Sequence, residues 1–136
     1  MTARKTARTT ARKAAVRSTP KATRPPLVAL VAATLDDLKA QNVAVLDVRE
    51  LTDVTDTIVI ASGTSDRHVK SLAGRVVERA REAGFRSLGV EGEREGEWVL
   101  VDLQDVIVHV MLPRVREFYG LEKLWDVQAG ERAVPA

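Results

Sequence analysis

The chain contains no cysteine. Disulfides, thiolate metal sites and Cys–His catalysis are excluded with it, and the composition fits a reducing compartment. Aromatic residues are scarce, two Trp, one Tyr and two Phe among 136 residues, and histidine occurs only at His68 and His109. No stretch reaches the ~20 consecutive apolar residues of a membrane helix, and no secretory hydrophobic segment lies near the N-terminus. The expectation is a soluble, intracellular protein.

Acid is also missing from one region. Residues 1–24 carry Arg4, Lys5, Arg8, Arg12, Lys13, Arg17, Lys21 and Arg24 and no Asp or Glu, a local charge of +8. The other 13 Lys/Arg face all 19 acids, so residues 25–136 sum to −6. The overall charge of +2 describes neither part, and tail and domain present opposite fields to a partner. With Val16 its only large aliphatic residue after Met1, the tail cannot bury enough apolar area to offset the entropy of ordering it. Residues 1–25 are expected to be a disordered basic tail. Three roles fit it: a solvated extension, an arm whose basic residues contact RNA phosphates without sequence preference, or an organellar transit peptide.

What remains is long enough for one domain with a genuine core. Pro25-Pro26 marks its start. Leu27, Leu30, Val31, Leu35 and Leu38 recur at three- and four-residue steps, which predicts a helix ending near Gln41-Asn42. Val43 to Val48 reads as a strand, and Thr57 to Ala61 as a second, apolar on both faces and therefore central. Ser62-Gly63-Thr64-Ser65 supplies a turn and N-caps. After it, Val69, Leu72, Ala73, Val76, Val77 and Ala80 form a buried helical stripe that Gly84 stops. Ser87 to Val90 is read as a short strand. Trp98 to Leu103 and Val106 to Leu112 form an antiparallel hairpin around Gln104-Asp105, ended by Pro113. Two helical pieces follow, Arg114 to Tyr119 and Leu121 to Trp125, broken at Gly120, and residues 129–136 are expected to fray. The order gives an α/β or α+β domain over residues 26–128, a mixed five-stranded sheet with packed helices.

Few residues offer chemistry. The Ser62–Ser65 loop opens a helix, where backbone N–H groups can hold an anion. It matches neither the P-loop nor the dinucleotide fingerprint, and capping explains it fully. Asp102 and Asp105 flank the hairpin turn, where aspartate bonds its own backbone. His109 stands amid aliphatic residues, as a hydrogen-bonded core or interface histidine does, and His68 reads as a surface residue. No nucleophile elbow is present, and no metal site or cofactor is implied. Arg114, Arg116, Phe118, Tyr119, Leu121 and Trp125 are of the kind that anchors protein interfaces. Phe118 and Leu121 are read as covering the sheet, while for Tyr119 and Trp125 core and interface both stand.

Three blocks carry a family resemblance: DVTDTIVIASGTSDRHVKSLA from Asp53, EGEREGEWVLVDLQDVIVHVM from Glu91 and REFYGLEKLW from Arg116. In this order and spacing, the chain from about Leu27 to Trp125 resembles the ribosomal silencing factors, also called Iojap-related proteins. The resemblance implies a compact domain similar to the nucleotidyltransferase fold but without its catalytic acids. It also implies a noncatalytic translational repressor that binds large-subunit ribosomal protein number fourteen and sterically hinders joining of the small subunit when nutrients are scarce. Carried over by motif position, the partner-binding residues are Trp98, Asp102, His109, Arg116, Tyr119, Glu122 and Trp125. The family further suggests homodimers off the ribosome. Its location is cytoplasmic, or mitochondrial or plastid if the tail is a transit peptide. This chain departs from the family in reading Leu103-Gln104 where members usually have an aromatic and a glycine, and Thr57 where an aromatic often stands.

Overall fold

The structure, a computed structural model, describes residues 17–18 and 25–124. The disorder expected of the remaining tail, the fraying expected after residue 128 and the position of Trp125 lie outside the described residues. Among the described residues ten elements follow one another: β1 (Arg17–Ser18), α1 (Pro26–Asp37), β2 (Gln41–Asp47), β3 (Thr57–Ser62), α2 (Asp66–Glu82), β4 (Gly89–Glu91), β5 (Trp98–Asp102), β6 (Val106–Met111), α3 (Pro113–Tyr119) and a final single turn, α4 (Leu121–Leu124). The sheet runs β1-β2-β3-β6-β5-β4. Five strands, β2 to β6, make the mixed sheet of an α+β domain, and the two-residue β1 is laid antiparallel on its edge, Arg17 opposite Asp47. Among the described strands only β3 and β6 are parallel; the other neighbouring pairs are antiparallel.

Alternation along the strands divides the core in two. Val45, Val59, Ala61, Val99, Val101, Val108 and Val110 point to one face, where α1 and α2 cover them with Leu27, Val28, Val31, Leu35, Val69, Leu72, Val76 and Ala80. The opposite face carries Val48, Ile58, Ile60 and Met111, with Leu121 over them and Trp98 and Val115 packed alongside. β3 is buried at all six positions, as an apolar run covered from both sides should be. Farther along β5 and β6, Leu100, Asp102 and Ile107 remain half-exposed on that second face. Among the described residues, the sheet is therefore closed by helices on one side and only partly on the other.

The first helix stops earlier than its periodicity predicts, at Asp37 instead of Gln41-Asn42. Lys39 takes a left-handed φ of 62°. The amides of Lys39 and Ala40 then reach back to the carbonyls of Asp36 and Leu35 at 3.0 and 2.9 Å. That is the Schellman arrangement, normally signalled by glycine; here lysine fills the position, so β2 begins at Gln41 and not Val43. α2 uses the same closure with the expected glycine: Gly84 has φ 95°, and the amide of Phe85 bonds the carbonyl of Ala80 at 2.8 Å. The short strand predicted at Ser87 to Val90 is observed two residues later, at Gly89–Glu91.

Candidate functional site

The loop before α2 is built around its own helix. Ser65 caps it, accepting from the amide of His68 at 3.1 Å. The amide of Gly63 donates to the carbonyl of Met111 at 3.1 Å, and that of Thr64 to Nδ1 of His68 at 2.9 Å. His68, expected at the surface, is half-buried. With Nδ1 accepting, its proton sits on Nε2, which lies 2.8 Å from the carbonyl of Leu38 at the end of α1. The ring ties the two helices together. The amides of Gly63, Thr64, Arg67 and His68 already have partners, and the cleft beside them is lined by three acids, Asp66, Glu95 and Glu97, and one cation, Arg114.

The tight approach of β5 to β6 sets the second group of residues. Between the strands, the amide of Asp105 bonds the carbonyl of Leu103 at 3.0 Å around Gln104, whose φ is 76°. This i to i+2 bond across a positive-φ residue is a γ-turn, the rarer and more strained kind. Asp102 steadies it by accepting from the amide of Gln104 at 2.8 Å. The carbonyl of Asp105 in turn receives the amides of Asp56 and Thr57, both at 3.1 Å. Asp102 thus serves the turn, at the far end of β5 from Trp98, about 13 Å along the strand.

At the other end of the hairpin, Trp98, His109 and Tyr119 come together. Trp98 Nε1 donates to His109 Nδ1 at 3.0 Å. The indole ring lies 5.9 Å from the imidazole and 5.0 Å from the Tyr119 ring, centroid to centroid. His109 is 8% exposed, and burial pushes its pKa down to about 4. Tyr119 remains 58% exposed, and Phe118, edge-on to it at 4.9 Å, is 80% exposed. Phe118, expected to cover the sheet, instead stands in solvent. Val115 packs against the core, and both Phe118 and Tyr119 fall one turn beyond it; a helix of seven residues has too little periodicity to say which ring turns inward. Leu121, read in the same way, is buried as expected.

Arg116 and Glu122 are joined to each other. Arg116 Nε and Nη2 meet the two Glu122 carboxylate oxygens at 3.0 and 2.9 Å, and Nη1 donates to Ser62 Oγ at 2.9 Å. The hydrogen bonds that Glu122 accepts from Arg116, together with the guanidinium charge, hold its carboxyl below its usual pKa. Gly120, left-handed at φ 55°, caps α3 and lets α4 turn back so that the pair can form. Of the residues marked from sequence, Trp98, His109 and Tyr119 are brought together at one end of the second face and Arg116 and Glu122 to one another. Asp102 is remote, and Trp125 is not described. Ser62 gave no sequence signal beyond its place in a turn.

Compared with known proteins, residues 21–135 match the family described as "Ribosomal silencing factor during starvation". The chain belongs to the ribosomal silencing factor family. The ribosomal silencing factor RsfS of Chromobacterium violaceum is 46% identical over 102 residues, covering 75% of this chain and 84% of the relative. That of Haemophilus influenzae is 41% identical over 99 residues, 73% of this chain and 97% of its own. A crystal structure of a Chromobacterium violaceum protein superposes with a TM-score of 0.73 at 44% identity, covering 74% of this chain and 83% of that one. More distant relatives include proteins named as mitochondrial and chloroplastic. The family name denotes a regulator.

Proposed function

We propose that this protein represses translation by binding the large ribosomal subunit through large-subunit ribosomal protein number fourteen, so that its bulk blocks joining of the small subunit under nutrient limitation. The observation that carries the reading is the exposed Phe118–Tyr119 pair, seated on Trp98 at the edge of a half-covered sheet face. Aromatic residues standing in water beside buried ones are what a docking surface needs, since a few such rings supply most of an interface's binding energy. A domain this small can bury a standard interface of about 800 Å² per partner. Obstruction then requires no chemistry, no cofactor and no metal.

Charge supports the same reading. Residues 25–136 sum to −6, which accelerates encounter with a basic ribosomal protein, while the basic tail adds contacts to nearby ribosomal RNA. Off the ribosome the chain forms homodimers. Its place is the bacterial cytoplasm, or an organelle if the tail acts as a transit peptide. Sedimentation with purified bacterial large subunits, followed by a subunit-joining assay, tests this. Co-sedimentation with large subunits and slowed joining are expected; absence of binding at low salt removes the proposal. Replacing the tail's Lys and Arg by Gln should flatten the salt dependence of binding, and an unchanged slope excludes the RNA arm.

A further inference from the structure

Arg116 and Glu122 stand among the residues that family resemblance marks for partner contact, yet both are already engaged within the fold. The Arg116 side chain is 11% exposed. Three of its five N–H donors meet Glu122 and Ser62. Ser62 itself is 1% exposed, so no partner reaches it without unfolding.

The positions of the three residues show what their bonds accomplish. Ser62 ends the central strand β3, Arg116 sits within α3, and Glu122 opens α4 beyond the Gly120 turn. With seven and four residues, α3 and α4 are far below the ~12–15 residues at which a helix begins to hold itself. Leu121 and Val115 give them an apolar foothold. A single guanidinium then fastens both to the sheet, in the bidentate geometry that is the strongest such pair can adopt. Tyr119 lies between the two anchored residues, and its ring rests on Trp98.

We propose that Ser62, Arg116 and Glu122 form a latch that positions Tyr119 and Phe118 for docking, so that Arg116 and Glu122 act through the aromatic pair and do not touch the partner. The proposal rests on the reading of this face as a docking surface. It deepens that reading by fixing the chemistry of the partner: its matching surface is apolar where it meets the two rings, and needs no charge opposite Arg116 or Glu122. Ser62 becomes a positioning residue 54 positions away from the arginine it holds.

Charge reversal separates latch from contact. In the full-length chain, Arg116→Glu and Glu122→Arg should each weaken binding to purified bacterial large subunits by about tenfold. The double reversal, which rebuilds the ion pair with its charges exchanged, should recover most of that loss. Ser62→Ala should weaken binding about threefold. Trp98 emission, read in a Trp125→Phe background, should shift in each single reversal and return in the double one. Wild-type affinity in Ser62→Ala overturns the latch, as does a double reversal that restores the emission but not the affinity. Should the double reversal restore neither, Ser62→Ala decides. Failure of the wild-type chain to bind large subunits overturns the docking reading instead, and the emission shifts still test the latch.

Discussion

Trp98 Nε1 donates a 3.0 Å hydrogen bond to Nδ1 of His109. An indole N–H can only donate, so this bond requires Nδ1 to be unprotonated and leaves the imidazole proton on Nε2. Protonating the ring would break the bond and place a charge where only 8% of the residue meets solvent. Two features of the second sheet face, a fixed ring tautomer and a seated indole, thus depend on one neutral histidine.

A pH dependence follows from this bond. The folded pKa of about 4 lies below the ordinary 6.5 because burial disfavours the cation. Between these values the unfolded chain takes up a proton that the folded chain refuses. The contribution is fully present above pH 6.5 and is lost as pH falls toward 4. Its size is at most roughly 3 kcal/mol. Chemical denaturation across this window should show the loss, and it should vanish in His109→Gln. An imidazole that titrates by NMR at its ordinary pKa would refute the prediction.

Phe118 and Tyr119 should separate stability from binding. Phe118 is 80% exposed, so Phe118→Ala is expected to change folding stability by no more than about 0.5 kcal/mol. Tyr119→Ala also loses its ring contact with Trp98 and should cost about 1 kcal/mol of stability. Each should weaken binding to large subunits by about 2 kcal/mol if it is a docking anchor. Unchanged affinity in a folded Tyr119→Ala variant would reduce the ring to a cover for Trp98.

The features legible in the sequence are those written in local periodicity. The stripe from Val69 to Ala80 and the unbroken apolar run of β3 are enough to announce α2 and the central strand. Hidden features depend on residues far apart or on an unusual choice at a special position. Lys39 in a left-handed turn conceals the end of α1, because glycine is the usual sign. The parallel pairing of β3 with β6 joins strands separated by a helix and two further strands, and no nearby residue encodes it. The Ser62–Arg116 bond spans 54 positions. The candidate site divides in the same way: its residue types were visible, but which of them face solvent and which hold one another was not.

Gln104 offers a gain of stability in place of a loss. It occupies the centre of the γ-turn at φ 76°, a backbone state that costs an L-residue roughly 1–2 kcal/mol and glycine almost nothing. Against this relief, glycine adds about 0.5–1 kcal/mol of chain entropy to lose on folding. Gln104→Gly should therefore stabilise the domain by up to about 1 kcal/mol, raising the urea midpoint without changing its slope. A lowered midpoint would mean that the Gln104 side chain, exposed as it is, contributes more than the strain removes.

Two glycines allow backbone strain to be distinguished from collision. Gly84, at φ 95°, has nothing within 4 Å of where a Cβ would stand, whereas at Gly92, with φ 84°, a Cβ would collide with the carbonyl oxygen of Trp98. Gly84→Ala should therefore cost only the left-handed penalty, about 1 kcal/mol. Gly92→Ala must in addition push β5 away, and a loss of roughly 3 kcal/mol or more is expected. Because the displaced atom belongs to Trp98, Gly92→Ala should also shift the emission of that indole, while Gly84→Ala leaves it in place. Equal losses in urea unfolding would show that the loop from Gly92 to Gly96 yields freely, and that the register of β5 is held by its strand partners alone.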